Sequence, residues 1–259
     1  MLRIGAHVDE TDPLAEAAAR NATAIQFFLA DPQGWSAPRP HSQTAELLES
    51  DVDLYVHAPY VINVATLNNR VRMPSRKLLG QHAAAAAAIG AKGLIVHGGH
   101  VTQTDDVPVG IDNWRKAFES LWGSSPPPVP ILIENTAGGT HAMARHVEAI
   151  DRLWAALDGY EVGFCLDTCH AHAGGEDLAD IVDRVLAITG RVDLVHANGS
   201  KDAFGSGRDR HENLTAGQID PNLIVAVIAQ ADAPVVCETP GGVDAQAADI
   251  ALLRGALAP

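Results

Sequence analysis

The chain has 259 residues, of which 47% are hydrophobic, and its formal net charge is −14. This length fits one large domain, since (βα)₈ barrels often run to about 250 residues as a single unit. The acidic balance argues against a general nucleic-acid-binding protein, whose contact surface is basic.

Eight short apolar or β-branched segments recur along the chain, and a segment of helical pattern follows each of them. The predicted strands, in chain order, are residues 2–7 (LRIGAH), 23–28 (TAIQFF), 53–57 (DLYVH), 93–97 (GLIVH), 130–134 (PILIE), 162–167 (VGFCLD), 192–196 (VDLVH) and 234–238 (PVVCE). The predicted helices are Pro13–Arg20, Thr44–Ser50, Pro74–Ile89, Ile111–Trp122, Ala142–Leu157, Glu176–Ile188, Pro221–Ala231 and Asp244–Leu257. Alternating strands and helices indicate a parallel sheet, and eight such units in this length predict a closed α/β barrel.

Three further features bear on organisation and compartment. We interpret the alanine run 83–88 as helix and the proline-rich segment 124–130 as a stiff loop rather than an interdomain linker. No apolar run approaches the roughly 20 residues of a membrane-spanning helix, and the N-terminal stretch lacks a signal-peptide pattern, so we expect a cytoplasmic protein that does not bind membranes. Cys165, Cys169 and Cys237 show no CxxC spacing. We expect them to be small buried residues rather than disulfide partners or zinc thiolates.

The predicted strands share one unusual property, which is that seven of the eight end on histidine, aspartate or glutamate. These residues are His7, His57, His97, Glu134, Asp167, His196 and Glu238. A parallel barrel brings the carboxyl ends of its strands to one face, where active sites of such barrels lie. Burying so many ionisable groups together is unfavourable unless cations compensate them. Nitrogen and oxygen ligands without thiolates suit zinc, manganese or iron.

Two more pairs of residues extend this cluster. The sequence DTCH places His170 three residues after Asp167, in the loop that follows the sixth strand, and GRDRHENL contains Asp209 and His211. Residues two apart in an extended segment point the same way, so Asp209 and His211 could hold one metal with a third ligand. His7 is either a ligand or a residue that supports one. His100 and His172 are ambiguous, whereas we expect ordinary structural roles for His41, His82, His141 and His146.

These residues lie in motifs that resemble the endonuclease IV family of apurinic/apyrimidinic endonucleases, over nearly the whole chain. The motifs are GAHV (5–8), VHAPYVIN (56–63), VHGGH (96–100), ENTAG (134–138), CLDTCHAHAGG (165–175) and GSGRDRHENL (205–214), and their wording is closest to actinobacterial members. The resemblance implies a xylose-isomerase-like TIM barrel, with residues 1–259 as one domain and a monomer in solution.

The resemblance also implies three zinc ions at the strand ends, with manganese possible at one site. It assigns the first zinc to His57, His97 and Glu134, the second to Glu134, Asp167, His196 and Glu238, and the third to His170, Asp209 and His211. Glu134 would bridge two of the metals, and Glu238 could also orient the attacking water. His7 and Asn135 would support ligands through hydrogen bonds.

The implied reaction is hydrolysis of the phosphodiester 5′ to an abasic site in duplex DNA. It leaves a 3′-hydroxyl and a 5′-deoxyribose phosphate, and the same site would trim blocked 3′ ends. Zinc lowers the pKa of a bound water to about 7, and several metals can stabilise the attacking and leaving oxygens. Flipping the abasic nucleotide into a small pocket would select the substrate.

DNA contacts are expected from the loops that follow the strands. In the family, a loop after the third strand wedges side chains into the base stack, and here these would be Tyr60 and Val61. A loop after the second strand presents an arginine in other members, where this chain has Gln33. The predicted phosphate contacts are Arg70, Arg72, Arg76, Lys77, Lys201, Arg208 and Arg210. The alternatives are that Tyr60 is a core aromatic and that the basic residues form ordinary surface salt bridges.

One position departs from the family, because Gly199 stands where aspartate is usual. Two other functions stay open at this stage. A metal-dependent sugar isomerase or epimerase could use a similar barrel with one or two metals, but the additional set His170, Asp209 and His211 argues against it. A zinc-storage or DNA-binding protein without turnover is the other alternative.

Overall fold

Eight parallel strands close into a barrel in the computed structural model, which describes residues 2–258. They are β1 (Ile4–His7), β2 (Ala24–Phe28), β3 (Asp53–His57), β4 (Gly93–His97), β5 (Ile131–Glu134), β6 (Val162–Asp167), β7 (Leu194–His196) and β10 (Val235–Cys237). Each strand pairs in parallel with its neighbours, and β1 pairs with β10 to close the ring. A separate antiparallel pair, β8 (Gly199–Ser200) and β9 (His211–Glu212), lies after β7. The prediction of a (βα)₈ barrel is confirmed.

The helices alternate with the strands, and their boundaries differ from prediction in places. They are α1 (Pro13–Ala19), α2 (Thr44–Glu49), α3 (Asn69–Ala88), α4 (Val107–Trp122), α5 (Val147–Ala156), α6 (Thr168–Gly174), α7 (Ile181–Thr189), α8 (Pro221–Ala231) and α9 (Gly242–Ala256). The alanine run lies inside α3, and the proline-rich segment is a loop between α4 and β5, as predicted. Among the described residues, no helix combines the length and the apolar composition that crossing a membrane would require.

The core has two parts that the barrel wall separates. A large cluster fills the space between the strands and the surrounding helices, where Trp114 and Phe118 of α4 are among the largest buried side chains. A smaller cluster comprises Ala24, Tyr55, Ile95, Leu132, Cys165, Leu194 and Val236, one residue from each of seven strands. All three cysteines are free and buried, as predicted, and burial raises the pKa of Cys165 to about 12.

Candidate metal centre

The alternation of side chains along each strand positions the site. Every member of the small inner cluster lies two residues before a polar residue, so both point to the same face of the sheet. Six of these polar residues end a strand or directly follow it, and Gln26 lies inside β2. The polar residues that follow in this way are Gln26, His57, His97, Glu134, Asp167, His196 and Glu238. The barrel therefore carries an apolar layer below and a layer of ionisable groups directly above it.

Glu134 is fully buried at the centre of this polar layer. Its Oε2 lies 3.2 Å from Nε2 of His57 and 3.3 Å from Nε2 of His97. Its Oε1 lies 3.1 Å from Nδ1 of His196 and 3.2 Å from Nδ1 of His170. Burial alone would raise the pKa of Glu134, but the surrounding imidazoles hold it well below its usual range. Glu134 is thus an ionised carboxylate that four imidazoles contact.

Three groups of potential ligand atoms come together around this carboxylate. One group contains His57, His97 and Glu134, and another contains Glu134, Asp167, His196 and Glu238, with all ligand atoms of a group within 4.8 Å of one another. In the third, Oδ1 of Asp209 lies 3.1 Å from Nε2 of His170 and 3.2 Å from Nε2 of His211. The three sets predicted from the sequence therefore each converge, and Glu134 is shared by two of them.

The third set has two further neighbours that the sequence did not indicate. Asp167 forms a group with His170 and His211, and Cys169 forms one with Asp209 and His211. Burial raises the pKa of Cys169 to about 12, so this side chain is a neutral thiol rather than a thiolate. We therefore keep Asp209, His170 and His211 as the candidate ligands of this set.

Hydrogen bonds on the far side of the imidazoles orient four of the histidines. The Nδ1 of His57 lies 2.7 Å from the Ala58 carbonyl, and that of His170 lies 2.9 Å from the Asn135 carbonyl. The Nε2 of His196 lies 2.8 Å from Oε1 of Gln26, and Nδ1 of His211 lies 3.4 Å from the Glu238 carbonyl. Each oxygen accepts a hydrogen bond from the protonated ring nitrogen that it faces, so the other ring nitrogen is free to act as a ligand.

His7 and Asn135, which were predicted to support ligands, both lie beside candidate ligands. Nδ1 of His7 lies 3.4 Å from Oε1 of Glu238. Asn135 donates to the carbonyl of Asp167 at 2.9 Å and accepts from its backbone N–H at 2.7 Å. His7 therefore contacts the carboxylate of Glu238, and Asn135 fixes the backbone of Asp167, while neither belongs to the groups of ligand atoms.

Gln26 and Asn198 also support the candidate ligands, although neither was predicted from the sequence. The Nε2 of Gln26 donates to Glu238 at 2.6 Å, and Nδ2 of Asn198 donates to Oδ2 of Asp167 at 2.7 Å. Asn198 also accepts from the backbone N–H of Glu238 at 2.7 Å. The sequence signal for Gln26 was a polar residue within the otherwise apolar strand AIQFF, and the register pairs it with His7 of β1. Asn198 follows β7, where the sequence carries no periodic pattern.

The two histidines of the third set, His170 and His211, show why this cluster favours bound cations. Burial disfavours a charged imidazole, yet the carboxylates of Asp167 and Asp209 raise the pKa of His211 to about 9. Burial likewise opposes charge on His170, but Asp167 and Asp209 raise its pKa well above the usual value. Nε2 of His170 and of His211 are buried and make no well-aligned hydrogen bond, although Oδ1 of Asp209 lies 3.1 and 3.2 Å from them. Buried nitrogens and carboxylate oxygens that lack other partners fit divalent cations such as zinc.

Comparison with known proteins agrees with this geometry. A family model described as a xylose isomerase-like TIM barrel matches residues 14–256. The probable endonuclease 4 of Mycobacterium ulcerans is 55% identical over 251 residues, which are 97% of each chain. The crystal structure of endonuclease IV from Thermus thermophilus superimposes with a TM-score of 0.83 at 27% identity, covering 98% of both chains.

The chain belongs to the endonuclease IV family. A D-tagatose 3-epimerase-like protein also superimposes, with a TM-score of 0.79 over 99% of this chain and 97% of the other. Its identity is only 17%, so this likeness shows the fold alone. The isomerase alternative is therefore less well supported than membership of the endonuclease IV family.

The side chains predicted to contact DNA differ in their exposure to solvent. Tyr60 is 50% exposed, which rules out the core alternative, whereas Val61 is partly buried and packs against the core. Gln33 and Arg70 are exposed. Arg72 is half-buried, since it donates to the Thr66 carbonyl at 2.9 Å and to Oδ1 of Asn69.

The basic residues near Asp209 are paired within their own loop. Arg210 donates two hydrogen bonds to the carboxylate of Asp202, at 2.6 and 2.7 Å. Nη1 of Arg208 lies 3.5 Å from Oδ1 of Asp202, and Nζ of Lys201 lies 3.9 Å from Glu212. All three are exposed, so these ion pairs leave part of each side chain open to a phosphate.

The structure explains the departure at Gly199. A Cβ at this position would lie 2.8 Å from the carbonyl oxygens of both Glu212 and Asn213. Gly199 pairs with Glu212 in the β8–β9 ladder, and His211 belongs to β9. The missing side chain therefore allows a close approach of the strand that carries a candidate ligand.

Proposed function

We propose that this chain is a DNA-repair endonuclease that hydrolyses the phosphodiester 5′ to an abasic site in duplex DNA. The products would be a 3′-hydroxyl and a 5′-deoxyribose phosphate. The proposal rests on the convergence of three ligand sets, two of which share Glu134, in a chain that is 55% identical to a probable endonuclease 4. We further propose that residues 1–259 act as one domain, that the protein is a monomer, and that blocked 3′ ends are also substrates.

We propose three zinc ions, with manganese possible at one of the sites. His57, His97 and Glu134 would hold the first, Glu134, Asp167, His196 and Glu238 the second, and His170, Asp209 and His211 the third. Zinc at these positions would lower the pKa of a water molecule and stabilise negative charge on the phosphoryl oxygens. The protein's own part is to orient the ligands and to hold them close together.

The two glutamates have distinct roles in this proposal. Glu134 is the bridging ligand, because its two carboxylate oxygens face different pairs of histidines. Glu238 is held by Gln26 at Oε1, while its Oε2 lies 3.4 Å from Nδ1 of His196. A carboxylate fixed at one oxygen in this way can both bind metal and orient the attacking water with the other.

The substrate would lie across the strand ends. Tyr60 would enter the base stack beside the lesion, with Val61 behind it and Gln33 and Arg70 at the same side. Arg72, Lys201, Arg208 and Arg210 would contact phosphates. An abasic nucleotide lacks the stacking that opposes extrusion, so it would be flipped toward the metals more easily than an intact one.

Incision of a 5′-labelled duplex with one tetrahydrofuran abasic analogue tests the proposal. We expect the holoenzyme, with about three zinc ions per chain, to cleave 5′ to the lesion and to leave an end that a polymerase extends. A strong chelator should abolish cleavage. Glu134→Gln should lower kcat by about a thousand-fold, since a metal site contributes several kcal/mol to transition-state stabilisation.

The matched control is Glu49→Gln, which changes an exposed glutamate of α2 and should cleave at the wild-type rate. Unchanged cleavage by Glu134→Gln would refute the assignment of the site. One manganese ion per chain with no incision by the wild type would favour a sugar isomerase or epimerase instead.

A further inference from the structure

Phe204 is an exposed aromatic side chain on the loop between β8 and β9. Its exposed fraction is 57%, which is unusual for a large apolar side chain and is matched here by Leu48. The loop also carries Asp209, a candidate ligand, so Phe204 lies at the end of the barrel that holds the site. Phe204 has no role in the proposed metal binding, hydrolysis or DNA contacts.

The loop holds Phe204 in a defined position. The backbone N–H of Gly205 donates to the His172 carbonyl at 2.9 Å, and that of Gly207 donates to the Ala173 carbonyl at 2.8 Å, which fixes the loop to α6. Both glycines have positive φ, at +70° and +68°, a conformation that other residues adopt with strain. The Phe204 ring meets the His172 ring edge-on, with centroids 5.6 Å apart. The exposed face of Phe204 is therefore presented before any ligand binds.

The barrel order sets where Phe204 lies relative to Tyr60. Tyr60 follows β3 and Phe204 follows β7, and these strands are four positions apart in either direction around the eight-stranded ring. Phe204 and Tyr60 therefore belong to loops on opposite sides of the metal cluster. Arg208 is exposed on the same loop as Phe204 and can draw a phosphate backbone toward it.

We propose that Phe204 is a second aromatic DNA contact, which packs against a base flanking the lesion on the side opposite Tyr60. This inference rests on the proposed function, because it requires DNA across the strand ends. A phenyl ring has no hydrogen-bonding group, so it would stack on any base and add affinity without sequence preference. The ring that Phe204 contacts belongs to His172, which is not a candidate ligand, so Phe204 would act on binding of the duplex and not on the reaction itself.

The test compares Phe204→Ala, Phe204→Trp and Leu48→Ala as zinc-loaded enzymes. Leu48 is equally exposed, but it lies against Gly90 just before β4, at the opposite end of the barrel. We expect Phe204→Ala to raise both KM for the abasic duplex and Kd from fluorescence anisotropy about ten-fold, with kcat within about two-fold. Phe204→Trp should restore both constants, and Leu48→Ala should match the wild type.

The possible failures are distinguishable. A Phe204→Ala enzyme with wild-type KM and Kd would overturn the inference while the wild type still cleaved abasic DNA. Loss of zinc together with a fall in kcat would also overturn it, because Phe204 would then merely support the loop. A wild type that binds the duplex without cleaving it would contradict the proposed function, and the Kd comparison would still decide the role of Phe204.

Discussion

At the scale of single residues, Gln26 connects more of the site than any residue predicted to support it. It donates to Glu238 at 2.6 Å, lies 2.9 Å from Nδ1 of His7 and accepts from His196 at 2.8 Å. The bond to His196 fixes which imidazole nitrogen faces Glu134. Such supporting bonds typically change metal affinity or activity by about 10–100-fold.

We therefore expect Gln26→Ala to lower both zinc content and the rate of abasic-site incision by about 10–100-fold. Metal analysis and a single-turnover incision assay measure the two effects. Gln230→Ala, which removes an exposed glutamine of α8, should leave both unchanged. If Gln26→Ala kept the zinc content and the incision rate of the wild type, His196 would need no hydrogen-bond partner at Nε2.

His82 makes a second prediction at this scale. It is fully buried in α3, and neither ring nitrogen has a hydrogen-bond partner among the described residues. Burial lowers the pKa of His82 from 6.5 to about 4. Because the unfolded chain binds this proton more tightly, the contribution to stability is complete above pH 6.5 and is lost as the pH falls toward 4.

The His82→Leu variant lacks this titration. Both proteins are compared in the presence of a chelator. When the pH is lowered from 7 to 4.5, the free energy of unfolding of the wild type should decrease by about 2 kcal/mol more than that of His82→Leu. Urea unfolding at the two pH values measures the difference, and metal-free samples of both proteins remove the contribution of the site. Equal losses for the two proteins would mean that His82 is protonated in the folded state.

At the scale of elements, the barrel strands were predicted well and the structure around the third ligand set was not. The strands alternate between core and site with period two, which the sequence displays directly. Helix α6 was expected to be a loop, because its seven residues are too few for a periodic pattern and tertiary contacts stabilise it. Helix α3 begins at Asn69, five residues before its predicted start, since the Asn68 side chain caps it and Pro74 is accommodated inside.

The β8–β9 ladder gives a prediction for an element. Gly199→Ala should lower the zinc content of the site and the incision rate, because a Cβ 2.8 Å from two backbone oxygens would displace the strand of His211. Gly255→Ala is the control, since a Cβ there has no atom within 4 Å, and it should be neutral or stabilising by about 0.4–1 kcal/mol. Full zinc occupancy in Gly199→Ala would mean that the ladder can shift without moving His211.

At the scale of the whole molecule, the site links most of the barrel. Its candidate ligands come from β3, β4, β5, β6 and β7, from the residue after β10, and from α6 and the β9 region. Ions held by these residues bind the folded chain and not the separated strands, so they stabilise the fold.

Removing metal should therefore lower the thermal stability of the entire barrel. We expect a strong chelator to decrease Tm by about ten degrees or more, since each ion present at a thousand times its Kd contributes about 4 kcal/mol. Added zinc should restore both Tm and incision. If Tm stayed constant while metal analysis showed complete removal, the site would be rigid without ions and independent of barrel stability.

The closed barrel and the identity of the strand-end groups could be deduced from the amino-acid sequence. Both depend on local periodicity, which places His57, His97 and Glu134 on the inner face wherever their strands pair. The folded chain was needed to show which nitrogen of each imidazole is free, that Gln26 and Asn198 donate to the carboxylates, and that Gly199 allows the close approach of β9. Those properties depend on distances between residues far apart in the chain, and the folded backbone alone fixes such distances.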